Sequence, residues 1–135
     1  MLRSVLIALF MAQAAPAVAQ EIACHAPLKA MLEIDLMFGR NIGDHLGVGE
    51  QEWSDFVEAE IAPRFPEGLS VLDAQGQWED TDKKTVVREP SKDVRLIVPA
   101  GTEATPKIDA IVNAYKQRFQ QQSVAVMIRP ACVSF

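Results

Sequence analysis

The apolar residues of this chain change period in a set order, and that order restricts the fold more than any other feature. Residues 31–38, MLEIDLMF, alternate, with Leu32, Ile34, Leu36 and Phe38 on one face and Glu33, Asp35 and Met37 on the other. That is the period of a half-buried strand. Residues 50–65 switch to helical spacing, with Trp53, Phe56, Val57 and Ile61 on one stripe, until Pro63 and Pro66 end the helix. Residues 69–78 and 85–99 return to the strand pattern and are joined by the polar segment EDTDKK at 79–84. The later of the two carries Val94, Leu96 and Val98 on one face, and Pro90 within it predicts a bulge or a bend. Thr105 and Pro106 read as the N-cap and first position of a second helix. Its apolar stripe is Ile108, Ile111, Val112, Tyr115 and Phe119. In residues 123–133, Val124, Val126 and Ile128 alternate against Ala125, Met127 and Arg129, giving a last strand.

The order β-α-β-β-α-β predicts an α+β, ferredoxin-like fold: two helices on one face of a four-stranded antiparallel sheet, strand order 4-1-3-2. The uncovered face then carries Glu33, Asp35, Met37, Arg95, Ile97, Ala125, Met127 and Arg129. Such a mixed surface is open to solvation, to a homodimer interface or to use as the wall of a cleft.

A segment of different character precedes these elements. MLRSVLIALFMAQAAPAVAQ has one early charge, Arg3, an apolar run over 5–12 and small residues ending in Ala17, Val18 and Ala19. This is the pattern of a secretory signal peptide over 1–19, cut before Gln20. The apolar run is shorter than the roughly 17–25 residues a spanning helix needs. Glu21, Ile22 and Ala23 before Cys24 do not form a lipid-attachment sequence. The expectation is a single domain over 20–135, periplasmic or secreted, with no transmembrane segment left after cleavage. Its 116 residues suffice for one core. With 12 basic against 18 acidic side chains it carries a formal charge of −6, which argues against nucleic acid as a partner.

Two cysteines, Cys24 and Cys132, lie near opposite ends of that domain. In an oxidising compartment an isolated pair predicts one disulfide. The topology supports it, because the start of the first strand lies beside the end of the fourth. A metal or redox site on Cys24 and His25 is disfavoured, since there is no CxxC and only one other histidine, His45.

The opposite end of the sheet gathers the candidate functional residues. The first strand ends at Phe38, Gly39 and Arg40, and a loop with four glycines follows over 39–49. The second strand ends at Trp78, and the third begins near Arg88 and Glu89, with Lys92 beyond. Arg40, Trp78, Arg88, Glu89 and Lys92 are thus candidates to line a small-ligand site. The competing structural reading has Trp78 capping the sheet edge over Gly76, Arg88 and Glu89 on opposite faces, and Glu89 neutralising Arg40 or Lys92. Gly47, Val48 and Gly49 open a helix as phosphate loops do, but Glu50 and Glu52 stand where the anion would bind. Asp44, His45 and Glu50 make a weak case for a metal, so neither a metal nor a cofactor is expected.

The expected function is therefore binding of a small molecule or a protein partner. One alternative is a cofactor-independent enzyme, monooxygenase- or isomerase-like, using Glu89 as base and Arg40 or Arg88 to hold an anion. The other is a purely structural envelope protein.

MFGRNIG at 37–43, FVEAEIAPRFPEGLSVLDAQGQW at 56–78 and VVREPSKDVRLIV at 86–98 resemble a bacterial family with a domain of unknown function, number 3574. Its members are small exported proteins or lipoproteins with an F-G-R end to the first strand, an R-F-P-x-G-L turn, a G-Q-W strand end and an R-E-x-S-K segment. The resemblance spans roughly residues 31–130. It implies export and a single α+β domain, and it carries no known activity.

Overall fold

The computed structural model describes residues 23–80 and 83–135, so the leader expected over 1–19 lies outside the described residues. The elements are β1 (Lys29–Gly39), β2 (Asn41–Ile42), β3 (His45–Leu46), α1 (Glu50–Phe56) running into a π-helical turn (Val57–Ile61), β4 (Leu69–Asp80), β5 (Thr85–Pro99), α2 (Thr105–Phe119) and β6 (Ala125–Val133). β4, β5, β1 and β6 form one antiparallel sheet in that order, the ferredoxin-like arrangement that the periods predict.

Alternation builds the core. Ile34, Leu36 and Phe38 of β1 and Val94, Leu96 and Val98 of β5 are buried on one face. Trp53, Phe56 and Ile61 meet them from the first helix, and Ile108, Ile111, Tyr115 and Phe119 from the second. The Tyr115 ring is the hub. It packs edge-on against Phe38 and Phe56, at centroid distances of 4.7 and 5.0 Å, and lies 4.9 Å from Phe119. Each such pair contributes about 0.5–1.5 kcal/mol beyond the apolar area it buries. The Tyr115 hydroxyl donates to the Gly39 carbonyl at 2.8 Å, and burial pushes its pKa well up.

Three local details differ from the sequence reading. The first helix ends earlier as regular α-helix and widens, with the Ala62 N–H donating to the Val57 carbonyl at 2.9 Å. Pro63 has no N–H with which to continue the ladder, and the turn leaves both Ile61 and Phe65 buried. Ala104, not Thr105, is the N-cap of α2; Thr105 is already helical, and the Ala104 carbonyl accepts from Ile108 at 2.9 Å. Pro90 makes no bulge, because the register runs unbroken from Asp73↔Lys92 through Gln75↔Pro90 to Gly76↔Glu89. Its carbonyl faces the β1 side, accepting from Arg40 N–H. The missing N–H of proline therefore falls past the last residue of β1 and removes no bond to β4.

The glycine-rich loop is also more ordered than a connector. It folds into the β2–β3 hairpin, with Gly43 at a positive φ of 64° in the turn. At Gly47 a side chain would collide with Ile42, whose Cγ1 lies 2.2 Å from the position a Cβ would take. Val48 is buried in the core, and the Gly47 and Val48 N–H groups both donate to the Arg40 carbonyl.

Cys24 and Cys132 form a disulfide with Cα atoms 5.5 Å apart, tying the segment before β1 to β6. No helix among the described residues is long and apolar enough to cross a membrane. The bridge spans 108 residues, and closing a loop of that size is worth roughly 4–5 kcal/mol in the chain-entropy model. That is a large share of a total stability of about 5–15 kcal/mol. A Cys24→Ser, Cys132→Ser variant is expected to lose that amount in urea denaturation, and an unchanged midpoint would show that the bridge does not hold the fold.

Candidate functional site

The same alternation that buries the core sorts the candidate side chains onto two faces. Arg40 and Lys92 lie on the helix side and are both buried, at 6% and 5% exposure. Arg40 Nε donates to the Val48 carbonyl at 2.8 Å, and its Nη1 meets Glu50 Oε1 at 2.6 Å. Lys92 Nζ contacts Glu50 Oε2 at 2.8 Å and Asp73 Oδ1 at 2.5 Å. One carboxylate thus bridges two buried cations and a second completes the pairing. Hydrogen bonds from Lys92 and then Arg40 hold Glu50 below the ordinary carboxylate range, and Lys92 does the same for Asp73. Burial pulls Lys92 down, but its bonds to Asp73 and Glu50 prevail and its pKa is raised. The shallow depression of about 410 Å³ beside these groups is therefore lined by charges already satisfied within the protein. Arg88 points to the same side, farther along the hairpin, where its Nε donates to Gln77 Oε1 at 2.9 Å across the strand pair.

Trp78 and Glu89 face the other way. Glu89 lies across the sheet in the space that two glycines leave. A Cβ on Gly39 would sit 2.9 Å from both of its carboxylate oxygens, and one on Gly76 would sit 3.5 Å from its Cγ. Its Oε2 accepts from the Asn41 N–H at 3.3 Å. Trp78 follows Gly76 by two residues on the same face and pairs with Val87; its side chain is half exposed. Both line an open-face cleft of about 650 Å³, together with Met37, Ser91 and Asp93 from the strands and Gln120 to Ser123 beyond α2. The loop wall is fastened, because Gln121 Nε2 donates to the Asn41 carbonyl at 2.6 Å.

Of the five candidates, the structure therefore brings Trp78 and Glu89 together in the cleft. It places Arg40 and Lys92 in a separate cluster and leaves Arg88 with Gln77. Parity along β5 separates Glu89 from Arg88 and Lys92. Arg40 turns toward the helix side because it anchors the start of α1.

Asp93 is a cleft residue that the sequence reading did not single out. Farther along the open face, Asp35 is 2% exposed and engages Arg95 at 2.8 Å and Arg129 at 3.1 Å. Glu33 engages the same two guanidinium groups, at 2.9 and 2.8 Å. Both arginines are thereby committed, and Asp93 Oδ1 is buried without a hydrogen-bond partner. Burial, and then the Asp35 charge, raise the Asp93 pKa; Arg95 and Arg129 oppose this from a distance. Its position was visible in the sequence, two and four residues beyond Ser91 and Glu89 on one face. Its lack of a partner was not, because that depends on pairings between other strands. Among the described residues no three His, Cys, Asp or Glu side chains converge as a metal site.

An acid whose pKa is higher folded than unfolded weakens the fold wherever the unfolded chain is ionised. The penalty is absent below the ordinary aspartate value of 3.8 and grows as pH rises through the folded value. Asp93→Asn is expected to raise the unfolding free energy at pH 7 by roughly 1 kcal/mol. The gain should disappear as pH falls below the ordinary aspartate range, and a gain independent of pH would show that the charge is not its origin.

No curated protein is matched. Among solved structures, a phage SAM lyase in complex with S-methyl-5'-thioadenosine is 19% identical, with a TM-score of 0.58 over 87% of this chain and 97% of that one. A phage SAM lyase in the apo state is 20% identical, with a TM-score of 0.59 over 85% and 92% of the two chains. CutA from Synechococcus elongatus, complexed with Bis-Tris, is 12% identical, with a TM-score of 0.50 over 79% and 87%. At these identities the likeness is one of fold. The model of the family described as "Protein of unknown function (DUF3574)" matches residues 33–135, and the chain belongs to that family.

Proposed function

We propose that the protein is an exported, periplasmic or secreted, binder of a small molecule, and that its site is the open-face cleft. The observation that carries this reading is the cleft of about 650 Å³ in which a half-exposed tryptophan stands on the same face as Glu89 and Asp93. Ligand pockets commonly measure about 300–1,000 Å³ and combine apolar walls with a few placed polar groups. The walls here are strands and a fastened loop, so little ordering is needed on binding. The disulfide and the absence of a spanning helix among the described residues are compatible with export. A homodimer through the open face would cover this cleft and the Glu33, Asp35, Arg95 and Arg129 network, so this reading leaves that face free.

A second reading, a cofactor-independent enzyme, is favoured by the different settings of the two cleft carboxylates. Asp93 is raised by burial, whereas Glu89 accepts a backbone hydrogen bond. Burial suits Asp93 to carry a proton, and Glu89 stands on the same face of β5 within the cleft. Arg40 belongs to the opposite face in this reading and holds no substrate.

Trp78 reports on the cleft directly once the chain's other tryptophan, Trp53, is replaced by phenylalanine. Titration with a metabolite panel that includes S-adenosylmethionine and S-methyl-5'-thioadenosine is expected to find compounds that shift Trp78 emission and raise the melting temperature together. A panel that leaves both unchanged removes the ligand-binding reading and favours a structural role. Turnover of a bound compound that survives Glu89→Gln would remove Glu89 as base.

A further inference from the structure

We infer that the cleft takes an extended organic cation, an aliphatic amine or diamine held between the Trp78 ring and the carboxylates of Glu89 and Asp93. This rests on the reading of the cleft as a ligand site and adds the chemistry of the occupant. Four charged residues among the described ones line the cleft, namely Asp44, Lys83, Glu89 and Asp93. Lys83 Nζ lies 3.6 Å from Asp44 Oδ1, so the cleft's one cation has a carboxylate beside it at the rim. Among the described residues, no cationic side chain forms an ion pair with Glu89 or Asp93. Glu89 accepts a single backbone N–H at 3.3 Å, longer than the roughly 2.7–2.9 Å of a strong charge-assisted bond. Asp93 keeps an oxygen with no donor at all. The guanidinium groups whose charge reaches Asp93, Arg95 and Arg129, are bound to Glu33 and Asp35.

An anion entering here would meet uncompensated like charge, and a neutral ligand would leave that charge as it is. A cation supplies compensating charge, beside Glu89 directly and, at short range, for Asp93, whose Oδ1 the protein encloses. Trp78 adds a second reason, because an indole face attracts cations and this half-exposed residue is among those lining the cleft. The shape selects an organic cation over a metal ion. Glu89 and Asp93 are four residues apart on one strand, about 13 Å of backbone, which one small ion cannot bridge. A carbon chain with an ammonium at each end can reach toward both and lay its methylenes along Met37 and Trp78.

The test compares 1,5-diaminopentane with 1,5-pentanediol, which share length and differ in charge, using Trp78 emission of the Trp53→Phe protein and calorimetry of the unaltered chain. The diamine is expected to bind and the diol not to. Glu89→Gln and Asp93→Asn are each expected to weaken diamine binding about tenfold, while Arg88→Gln, outside the cleft, leaves it unchanged. Added salt should weaken it further. Equal responses to diamine and diol, or equal binding of calcium chloride and the diamine, would overturn the inference. If only neutral or anionic metabolites move Trp78, the cation is wrong and the ligand cleft stands. If nothing in either set moves it, both fall.

Discussion

Helices cover only one face of this sheet, yet its two middle strands are flanked on both sides, and that combination governs the charges of the molecule. β1 lies between β5 and β6, and on its uncovered face Met37 stays exposed while Asp35, covered by long side chains from both neighbours, is almost fully buried. A buried carboxylate is tolerable only when paired and hydrogen-bonded. Arg95 and Arg129, from the strands on either side, close over it and over Glu33. That solution commits both guanidinium groups. It also determines what the next position along the face can have, and Asp93 is left without a partner.

On the helix side the same principle gives the opposite arrangement. There the cations are buried and the carboxylates exposed: Arg40 and Lys92 lie beneath Glu50 and Asp73. Glu50 is the first residue of α1, so pairing with Arg40 ties the end of β1 to the start of the helix across the glycine-rich loop. Arg40 further holds that loop through the Val48 carbonyl. The loop is thereby a fixed wall of the cleft. Gly39 and Gly76 meanwhile leave the trough in which Glu89 lies. Positions that appear as a charge cluster in the sequence are thus two devices, back to back through one sheet.

Much of this architecture was legible in advance because it rests on local period and on topology. Two-residue and 3.6-residue alternation identify all four long strands and both helices, and the strand order that follows puts Cys24 beside Cys132. What was not legible depends on backbone hydrogen bonds or on commitments made across strands. Pro90 looks disruptive until its carbonyl is seen to face β1 and its missing N–H to fall beyond that strand's end. Thr105 looks like a cap, but the preceding Ala104 already closes the first turn. The parity of Arg88 and Glu89 could be read from the sequence, and it holds. The turn of Arg40 toward the helices could not, because it lies one residue past the strand, where alternation no longer constrains direction.

Trp78 and Asp93 share a property that sets them apart from the rest of the chain. Each is unfavourable where it stands and is held there by structure that does not need it. A half-exposed indole on an edge strand forgoes burial of apolar area worth about 25 cal/mol per Å², and β4 offers a regular register that would accept a smaller residue equally well. An unpaired carboxylate beside Asp35 is worse than an amide of the same shape. Neither is required by the ladder, the core or the disulfide. Departures from local consistency that the fold does not need are where function is expected to reside, and here both open into the same cleft. Arg40 and Lys92 fail that criterion: buried charges look functional in isolation, but each is fully paired and each secures a segment. Unmet demand, more than charge as such, separates the cleft from the cluster behind it.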